Sequence, residues 1–371
     1  MEHREDAALC QRLIRAGSVP VGDLVACAEA QRDAREGGRP IPRLREMLLA
    51  RGVDPAALDA AAPQPMARRR RRHSSTRRTS VWRSIEEDGV VAGDRLSHYV
   101  VTKPIARGSM GAVFEARCER TGEQVALKVL AGERARKDQG AQRFLQEAQL
   151  LCSLRHPGLV PGLAFGCDAG RNFFAMEYVE GPSLKETIQR RGPLPEAEAL
   201  EIAAGVARTL AYLHGEGIVH RDVKPANILL GPDGVRLCDL GLAREVHFPS
   251  SATASCETLG TPCYMAPEQA RESKEAGPKA DLYSLGVTLF HALAGRPPFL
   301  DESGIVVLSR HLFDTVPDVR AVRPSVSPAA AAVVRRLTLK EPSLRYASAA
   351  EVAWALEACP VSAPEALRRA A

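Results

Sequence analysis

Residues 220–227 read HRDVKPAN, and this stretch decides how the rest of the chain is interpreted. Twelve residues after Asn227 the chain reads DLG at residues 239–241, and GTPCYMAPE follows at residues 260–268. Together the three pieces bring carboxylate, ammonium and amide side chains into one short part of the chain. A chance occurrence of all three in this order is negligible.

Two further motifs precede this stretch. Residues 105–113 read IARGSMGAV, and small residues let backbone N–H groups approach phosphate oxygens closely. The strand pattern at residues 124–130 contains Lys128, and Glu147 lies in a helical pattern further on. Taken singly, they have ordinary structural explanations: a glycine hairpin, a lysine that snorkels to the surface and a helix-face glutamate.

The complete set resembles the eukaryotic-type Ser/Thr protein kinases, and the run DLYSLG at residues 281–286 is similar to that of bacterial members. The resemblance covers about 260 residues, from Tyr99 to Ala358, or about 70% of the chain. It implies an α+β fold of two lobes, a small β-rich lobe and a larger α-helical one. The order of strand-like runs first and helical patterns later agrees with that fold.

The resemblance also implies the roles of the central residues. The implied catalytic residues are Asp222, Lys224, Asn227, Lys128 and Glu147. Asp222 would accept or orient the proton of the substrate hydroxyl, and Lys224 would steady the transferring phosphate. Asn227 and Asp239 would bind Mg²⁺ (or Mn²⁺) through hard oxygen atoms.

The implied ATP site combines the glycine-containing loop, a lysine and a hinge. Lys128, paired with Glu147, would bind the α- and β-phosphates, and the hinge backbone after Met176 would read the adenine edge. The assigned nucleotide-binding residues are Ile105, Ala106, Arg107, Gly108, Ser109, Met110, Gly111, Ala112, Val113, Ala126, Lys128, Met176, Glu177, Val179 and Leu229. The chain departs from the family pattern at Ala106, where the family has glycine, and at Leu240, where it has phenylalanine.

The segment after residue 241 is rich in hydroxyl side chains. Thr253 and Ser255 are predicted to be autophosphorylated, and Arg221 would bind the phosphate. The alternative is an ordinary polar loop. Thr261 would contact the catalytic residues and form part of the floor of the peptide site.

Two structural roles follow from the same resemblance. Glu268 is expected to form a buried ion pair with Arg345, and Asp281 to hold the catalytic-loop backbone from a central helix. Histidines such as His98, His156 and His291 show no metal-ligand spacing, so structural roles are expected for them.

The net charge of +5 comes from one short segment. Residues 63–84 carry eight arginines and no acidic residue. Because the basic charge belongs to this short segment and not to a whole domain, it argues against a nucleic-acid-binding domain as the main function. The predicted organisation is a helical regulatory or docking unit at 1–62, a linker at 63–97, a kinase domain at 98–359 and a tail at 360–371. The linker is interpreted as a solvated spacer; a phosphorylated tether, or a segment that binds acidic lipid or nucleic acid, are the alternatives.

The composition and the cysteine pattern predict where in the cell the protein is located. No apolar run reaches the roughly 18 residues of a membrane helix, and the acidic start is unlike a signal peptide. Nine cysteines without a Cys-x-x-Cys pair predict reduced thiols and a cytoplasmic protein. The expected partners are protein substrates with Ser or Thr acceptors, a second copy for trans-autophosphorylation and an unknown partner of residues 1–62.

The predicted function is therefore transfer of the ATP γ-phosphate to protein Ser or Thr hydroxyls in signalling. Two alternatives stay open: an ATP-binding pseudokinase scaffold and a small-molecule phosphotransferase. The intact Lys128, Asp222 and Asp239 argue against the scaffold. Thr261 and the Ala-Pro-Glu run at residues 266–268 argue against the small-molecule enzyme.

Overall fold

The computed structural model describes residues 40, 42–60, 90–107, 111–130, 138–240, 262–271, 276–301 and 304–360, and seven single residues between 9 and 34. Within these ranges, no helix is both long and apolar enough to cross a lipid bilayer.

The small lobe is built on a six-stranded antiparallel sheet with the order β1-β2-β3-β4-β6-β5. Its strands are β1 (Arg95–Leu96), β2 (Tyr99–Arg107), β3 (Gly111–Cys118), β4 (Gln124–Leu130), β5 (Gly162–Asp168) and β6 (Arg171–Glu177). Inward-facing side chains such as Phe114, Leu127 and Phe173 form the sheet's own core. The register sets Ala126 opposite Met176, so β4 and β6 present neighbouring nucleotide-site candidates side by side.

Two helices precede the sheet in the chain, α1 (Leu44–Ala50) and α2 (Pro55–Ala60). A third, α3 (Asp138–Ser153), packs on the sheet through one apolar face. Phe144, Ala148 and Leu151 recur at helical spacing and are buried in the large core of the molecule. Glu147 lies on the same face and is also buried. The helical period therefore carries a carboxylate into the interior beside β4.

The large lobe is mainly helical and contains one small hairpin. Its helices are α4 (Leu184–Arg191), α5 (Glu196–Gly215), α6 (Pro267–Arg271), α7 (Pro278–Ala294), α8 (Gly304–Phe313), α9 (Val319–Val322), α10 (Pro328–Leu337) and α11 (Ala349–Glu357). Helix α7 is buried on nearly all sides, which identifies it as the central helix. The predicted two-lobed fold is confirmed. The sequence pattern missed the hairpin β7 (Ile228–Gly231) and β8 (Gly234–Leu237), whose strands of four residues are too short for periodicity to reveal.

The N-terminal part has a small core of its own. A buried cluster in this part contains Leu13, Val19, Cys27, Leu44, Leu48 and Leu58. Of the residues described between 9 and 34, all except Val19 are helical. Helical structure was expected in this part of the chain.

The prediction that all cysteines are reduced thiols is wrong for Cys263. Cys263 is disulfide-bonded, whereas six other described cysteines are free: Cys27, Cys118, Cys152, Cys167, Cys238 and Cys359. Pairing requires two Cα atoms within about 7 Å, a condition set by the tertiary structure and invisible in sequence spacing.

Candidate active site

The loop between α5 and β7 carries the HRDVKPAN stretch and is held by one buried carboxylate. Asp281, in the first turn of α7, accepts hydrogen bonds from the backbone N–H of Arg221 at 2.7 Å and of His220 at 2.8 Å. His214 of α5 donates to the same carboxylate at 2.8 Å. Arg221 adopts a positive φ of 65°, an uncommon conformation that this anchoring supports. The expected role of Asp281 is confirmed.

Three of the predicted catalytic side chains form one hydrogen-bonded group. Lys224 Nζ lies 2.7 Å from Asp222 Oδ2, and Asn227 Nδ2 donates to the same oxygen at 2.9 Å. Asn227 Nδ2 also donates to the Asp222 carbonyl at 2.9 Å. Because Nδ2 is the amide atom that faces Asp222, Oδ1 is the atom of Asn227 suited to a metal ligand.

His220 contributes to this loop as a neutral imidazole. Its Nδ1 accepts from the Asp222 backbone N–H at 3.2 Å, so its Nε2–H donates to the Cys238 carbonyl at 3.2 Å. Complete burial lowers the pKa of His220 and keeps the ring uncharged. The ring thereby joins the catalytic loop to the residue that precedes Asp239.

A second charged group lies between the sheet, α3 and the end of β8. Lys128 Nζ is 2.9 Å from Asp239 Oδ1 and 3.5 Å from Glu147 Oε1. Burial alone would lower the pKa of Lys128, but the two carboxylates raise it, so the lysine stays charged. Pairing with Glu147 was predicted; the shorter contact to Asp239 was not.

The pKa values of the two carboxyl groups that share this lysine shift in opposite directions. Burial raises the pKa of Glu147 to about 7, and Lys128 offsets that only in part. Burial also acts on Asp239, but Lys128 and Lys224 together lower its pKa. Asp239 is therefore an ionised carboxylate, and its side chain keeps 34% exposure. The influence of Lys224 on Asp239 places the two charged groups in one site.

The described nucleotide-binding candidates lie on β2, β3, β4, β6 and β7, except Val179, which follows β6. Met176 is buried, whereas Val113, Ala126 and Leu229 are partly buried, as expected for walls of a cleft. Ile105 and Arg107 are exposed, and a side chain at Gly111 would place its Cβ 1.9 Å from the Val129 carbonyl oxygen. Gly108, Ser109 and Met110 lie outside the described residues.

The segment expected to bind the peptide is described only from Pro262. The predicted regulatory residues Thr253, Ser255 and Thr261 lie outside the described part of the chain. Gln269, which the motif analysis did not single out, donates to the Arg221 carbonyl at 3.0 Å and accepts from the Ala266 N–H at 3.1 Å. It ties α6 to the catalytic loop, and its position directly after the Ala-Pro-Glu run is the signal that could have identified it.

The ion pair predicted between Glu268 and Arg345 is confirmed. The guanidinium binds both carboxylate oxygens, at 2.5 and 2.9 Å, and its side chain is fully buried. The carbonyls of Leu339, Lys279 and Lys340 take up its remaining N–H groups. A buried charge with every donor used anchors α6 against the loop before α11.

Comparison with known proteins agrees with this geometry. Residues 99–355 match the family model described as protein kinase domain. The serine/threonine-protein kinase PknL of Mycobacterium tuberculosis is 37% identical over 263 residues, which cover 71% of this chain and 65% of PknL. The serine/threonine-protein kinase PrkC of Bacillus subtilis is 36% identical over 265 residues, which cover 71% of this chain and 41% of PrkC.

A solved structure is similar as well. The crystal structure of the Mycobacterium tuberculosis PknI kinase domain matches with a TM-score of 0.58 and 28% identity, over 72% of this chain and 98% of that domain. The chain spans less than two thirds of the length of the curated relatives PknL and PrkC.

Proposed function

This chain belongs to the protein kinase family, in the group of bacterial Ser/Thr kinases, and we propose that it transfers the γ-phosphate of ATP to Ser or Thr hydroxyls of proteins. The observation that carries the proposal is the buried group of Asp222, Lys224 and Asn227, held beside the Lys128–Asp239 pair. Phosphoryl transfer depends mainly on positioning and charge compensation, and this arrangement supplies both.

Asp222 is proposed to orient the substrate hydroxyl and accept its proton. Its carboxylate is fixed by Lys224 and Asn227, and its backbone by His220, so little reorganisation is needed when the hydroxyl attacks. Lys224 would then move its charge toward the transferring phosphate. A lysine two residues after the catalytic aspartate also supports Ser or Thr, rather than Tyr, as the acceptor.

Family membership implies ATP and a divalent metal ion, and we propose Mg²⁺, with Mn²⁺ as the alternative. Asn227 and the ionised, partly exposed Asp239 offer the amide and carboxylate oxygens that such an ion prefers. The bound ion would neutralise charge on the phosphate oxygens. Lys128 would bind the α- and β-phosphates, while Glu147 keeps the lysine on this side of the sheet.

The remaining assignments extend the same proposal. The loop at 105–113, Ala126, Leu229 and the hinge at 176–179 would enclose the nucleotide. Thr253 and Ser255 would be autophosphorylated by a second copy, with Arg221 binding the phosphate. Residues 1–62 would form a docking or regulatory unit, 63–97 a linker, 98–359 the kinase domain and 360–371 a tail, in the cytoplasm, where ATP is available.

The test is transfer of ³²P from [γ-³²P]ATP and Mg²⁺ to the protein itself and to myelin basic protein. Asp222→Asn should reduce transfer by about 10²- to 10⁴-fold. ATP binding by this variant, measured as the shift in melting temperature that ATP causes, should stay unchanged. The matched control is Asp233→Asn, an exposed aspartate in the β7–β8 turn, which should behave as wild type. ATP binding by the wild type without any transfer would favour the pseudokinase scaffold instead.

A further inference from the structure

The turn Pro262–Tyr264, which directly follows Thr261, is held from two helices of the large lobe. Helix α8 binds it through His311, whose Nε2 lies 2.9 Å from the Cys263 carbonyl oxygen. Helix α7 binds it through Ser284, which donates to the Tyr264 carbonyl at 2.8 Å, and through His291, whose Nδ1 lies 2.7 Å from the Tyr264 hydroxyl. Side chains of α7 and α8 therefore bind two backbone carbonyls and one hydroxyl of this turn.

The contact from His311 is the end of a longer chain of hydrogen bonds. Burial, reinforced by the charge of Lys340, lowers the pKa of His311 to about 3, so its ring is neutral and has one N–H. A carbonyl oxygen can only accept, so the proton is on Nε2, and Nδ1 accepts from the Tyr283 hydroxyl at 2.9 Å. The oxygen of Tyr283 in turn accepts from Lys340 Nζ at 3.1 Å.

All bonds of this chain point the same way, from Lys340 through Tyr283 and His311 to Cys263. Hydrogen bonds aligned in this manner polarise and strengthen one another in a low-dielectric interior. Lys340 also donates to the His311 carbonyl at 2.6 Å, in the last turn of α8, where helical carbonyls lack partners. Lys340 therefore contacts the backbone carbonyl of His311 directly and the His311 ring through the Tyr283 hydroxyl.

Burial makes the arrangement specific. Tyr283 and His311 are fully buried, and the ammonium of Lys340 lies 5.4 Å from the ring centre of Tyr283 and 5.5 Å from that of Phe299. Burial, partly offset by Asp314, lowers the pKa of Lys340 to about 7. Either protonation state keeps enough N–H groups for the two donated bonds, so the chain does not depend on the charge.

We propose that Lys340, Tyr283 and His311 are positioning residues for the protein substrate, and that their donor chain fixes the Cys263 carbonyl and with it the peptide-binding surface of the turn. The inference rests on the proposed function and adds to it, because it assigns substrate binding to residues that lie 19 to 76 positions after Tyr264, the last residue of the turn. None of the three belongs to the ATP site, so their effect should be confined to the protein substrate.

The test compares Michaelis constants for the two substrates. Tyr283→Phe removes one hydroxyl and interrupts the chain; it should raise the KM for myelin basic protein by about three- to tenfold, the effect of one lost buried hydrogen bond. The KM for ATP should stay within about twofold. The matched control is Tyr212→Phe on α5. The Tyr212 hydroxyl accepts from the Arg155 backbone N–H at 3.2 Å, and its removal should leave both constants unchanged.

Lys340 provides a second pair of variants if Tyr283→Phe does not fold. Lys340→Met should raise the KM for myelin basic protein as Tyr283→Phe does, and Lys340→Arg, which keeps N–H donors, should restore it largely. An unchanged KM for myelin basic protein in folded variants, or equal rises of both Michaelis constants, would overturn the inference and leave a purely structural role.

Binding without turnover separates this inference from the proposed function. In the Asp222→Asn background, adding Tyr283→Phe should weaken binding of fluorescently labelled myelin basic protein by the same factor, measured by anisotropy. If the wild type transfers no phosphate, the proposed function fails, yet this comparison still decides whether the chain positions the turn.

Discussion

At the scale of single residues, buried carboxylates have different roles, which depend on the groups that surround them. Asp281 accepts three N–H groups and serves the backbone of the catalytic loop, whereas Glu147 shares one lysine and has a raised pKa. Residue type alone does not distinguish these roles. The donors aimed at each carboxylate do: three N–H groups hold Asp281, whereas a single lysine faces Glu147.

Replacing Asp281 by Asn tests the role of its two oxygens. Both oxygens accept N–H groups, so an amide must turn its own NH₂ toward at least one buried donor. The loop should shift, and kcat should fall by about 10- to 100-fold with the KM for ATP little changed. Steady-state kinetics measures both quantities, and Asp233→Asn is again the control; an unaltered kcat would show that the loop holds its shape without this carboxylate.

At the scale of elements, polar contacts between helices and loops set the positions that packing leaves open. The Arg345 guanidinium joins α6 to α7 and to residues 339–340, which follow α10, through one carboxylate and three carbonyls. By contrast, Arg208 and Glu357 pair on the surface between α5 and α11, where both side chains are about half exposed. The two ion pairs should therefore contribute very differently to stability.

Removing one carboxylate from each pair measures that difference. Glu268→Gln leaves a fully buried guanidinium without its counter-charge and should lower the free energy of unfolding by about 3–5 kcal/mol. Glu357→Gln should cost less than about 1 kcal/mol, because water and salt already screen that pair. Urea denaturation of both variants gives the comparison, and similar losses would contradict the distinction between buried and exposed pairs.

At the scale of the whole molecule, one large apolar core joins the two lobes. Phe174 and Met176 from the sheet, Phe144 and Leu151 from α3 and Leu237 from β8 belong to the same cluster as the helices of the large lobe. The charged groups of the site lie where this shared core meets the catalytic loop.

The buried neutral histidines predict how stability depends on pH. Burial lowers the pKa of His291 from its usual 6.5 to about 4 and that of His311 to about 3. As the pH falls below about 6.5 the unfolded chain binds protons that the folded chain does not. Each histidine should then reduce the free energy of unfolding by about 1.4 kcal/mol per pH unit, down to its folded pKa.

Glu147 acts in the opposite direction, since its raised pKa lets the folded chain take up a proton as the pH falls through about 7. A comparison of variants removes that contribution. Urea denaturation between pH 6 and pH 4.5 should show a slope smaller by about 1.4 kcal/mol per pH unit for His291→Gln than for the wild type. Parallel curves would mean that His291 binds a proton equally well in both states.

The sequence by itself determined the family, the two-lobed fold and the contacts of Asp281 and of Glu268 with Arg345, because ordered motifs carry that information locally. Only the tertiary structure decided which partner Lys128 approaches most closely, that Cys263 is disulfide-bonded, and that His311, Tyr283 and Lys340 form one chain. These three residues are far apart in sequence and fit no spacing rule. Long-range packing of helices brings them together, and a linear pattern cannot express that.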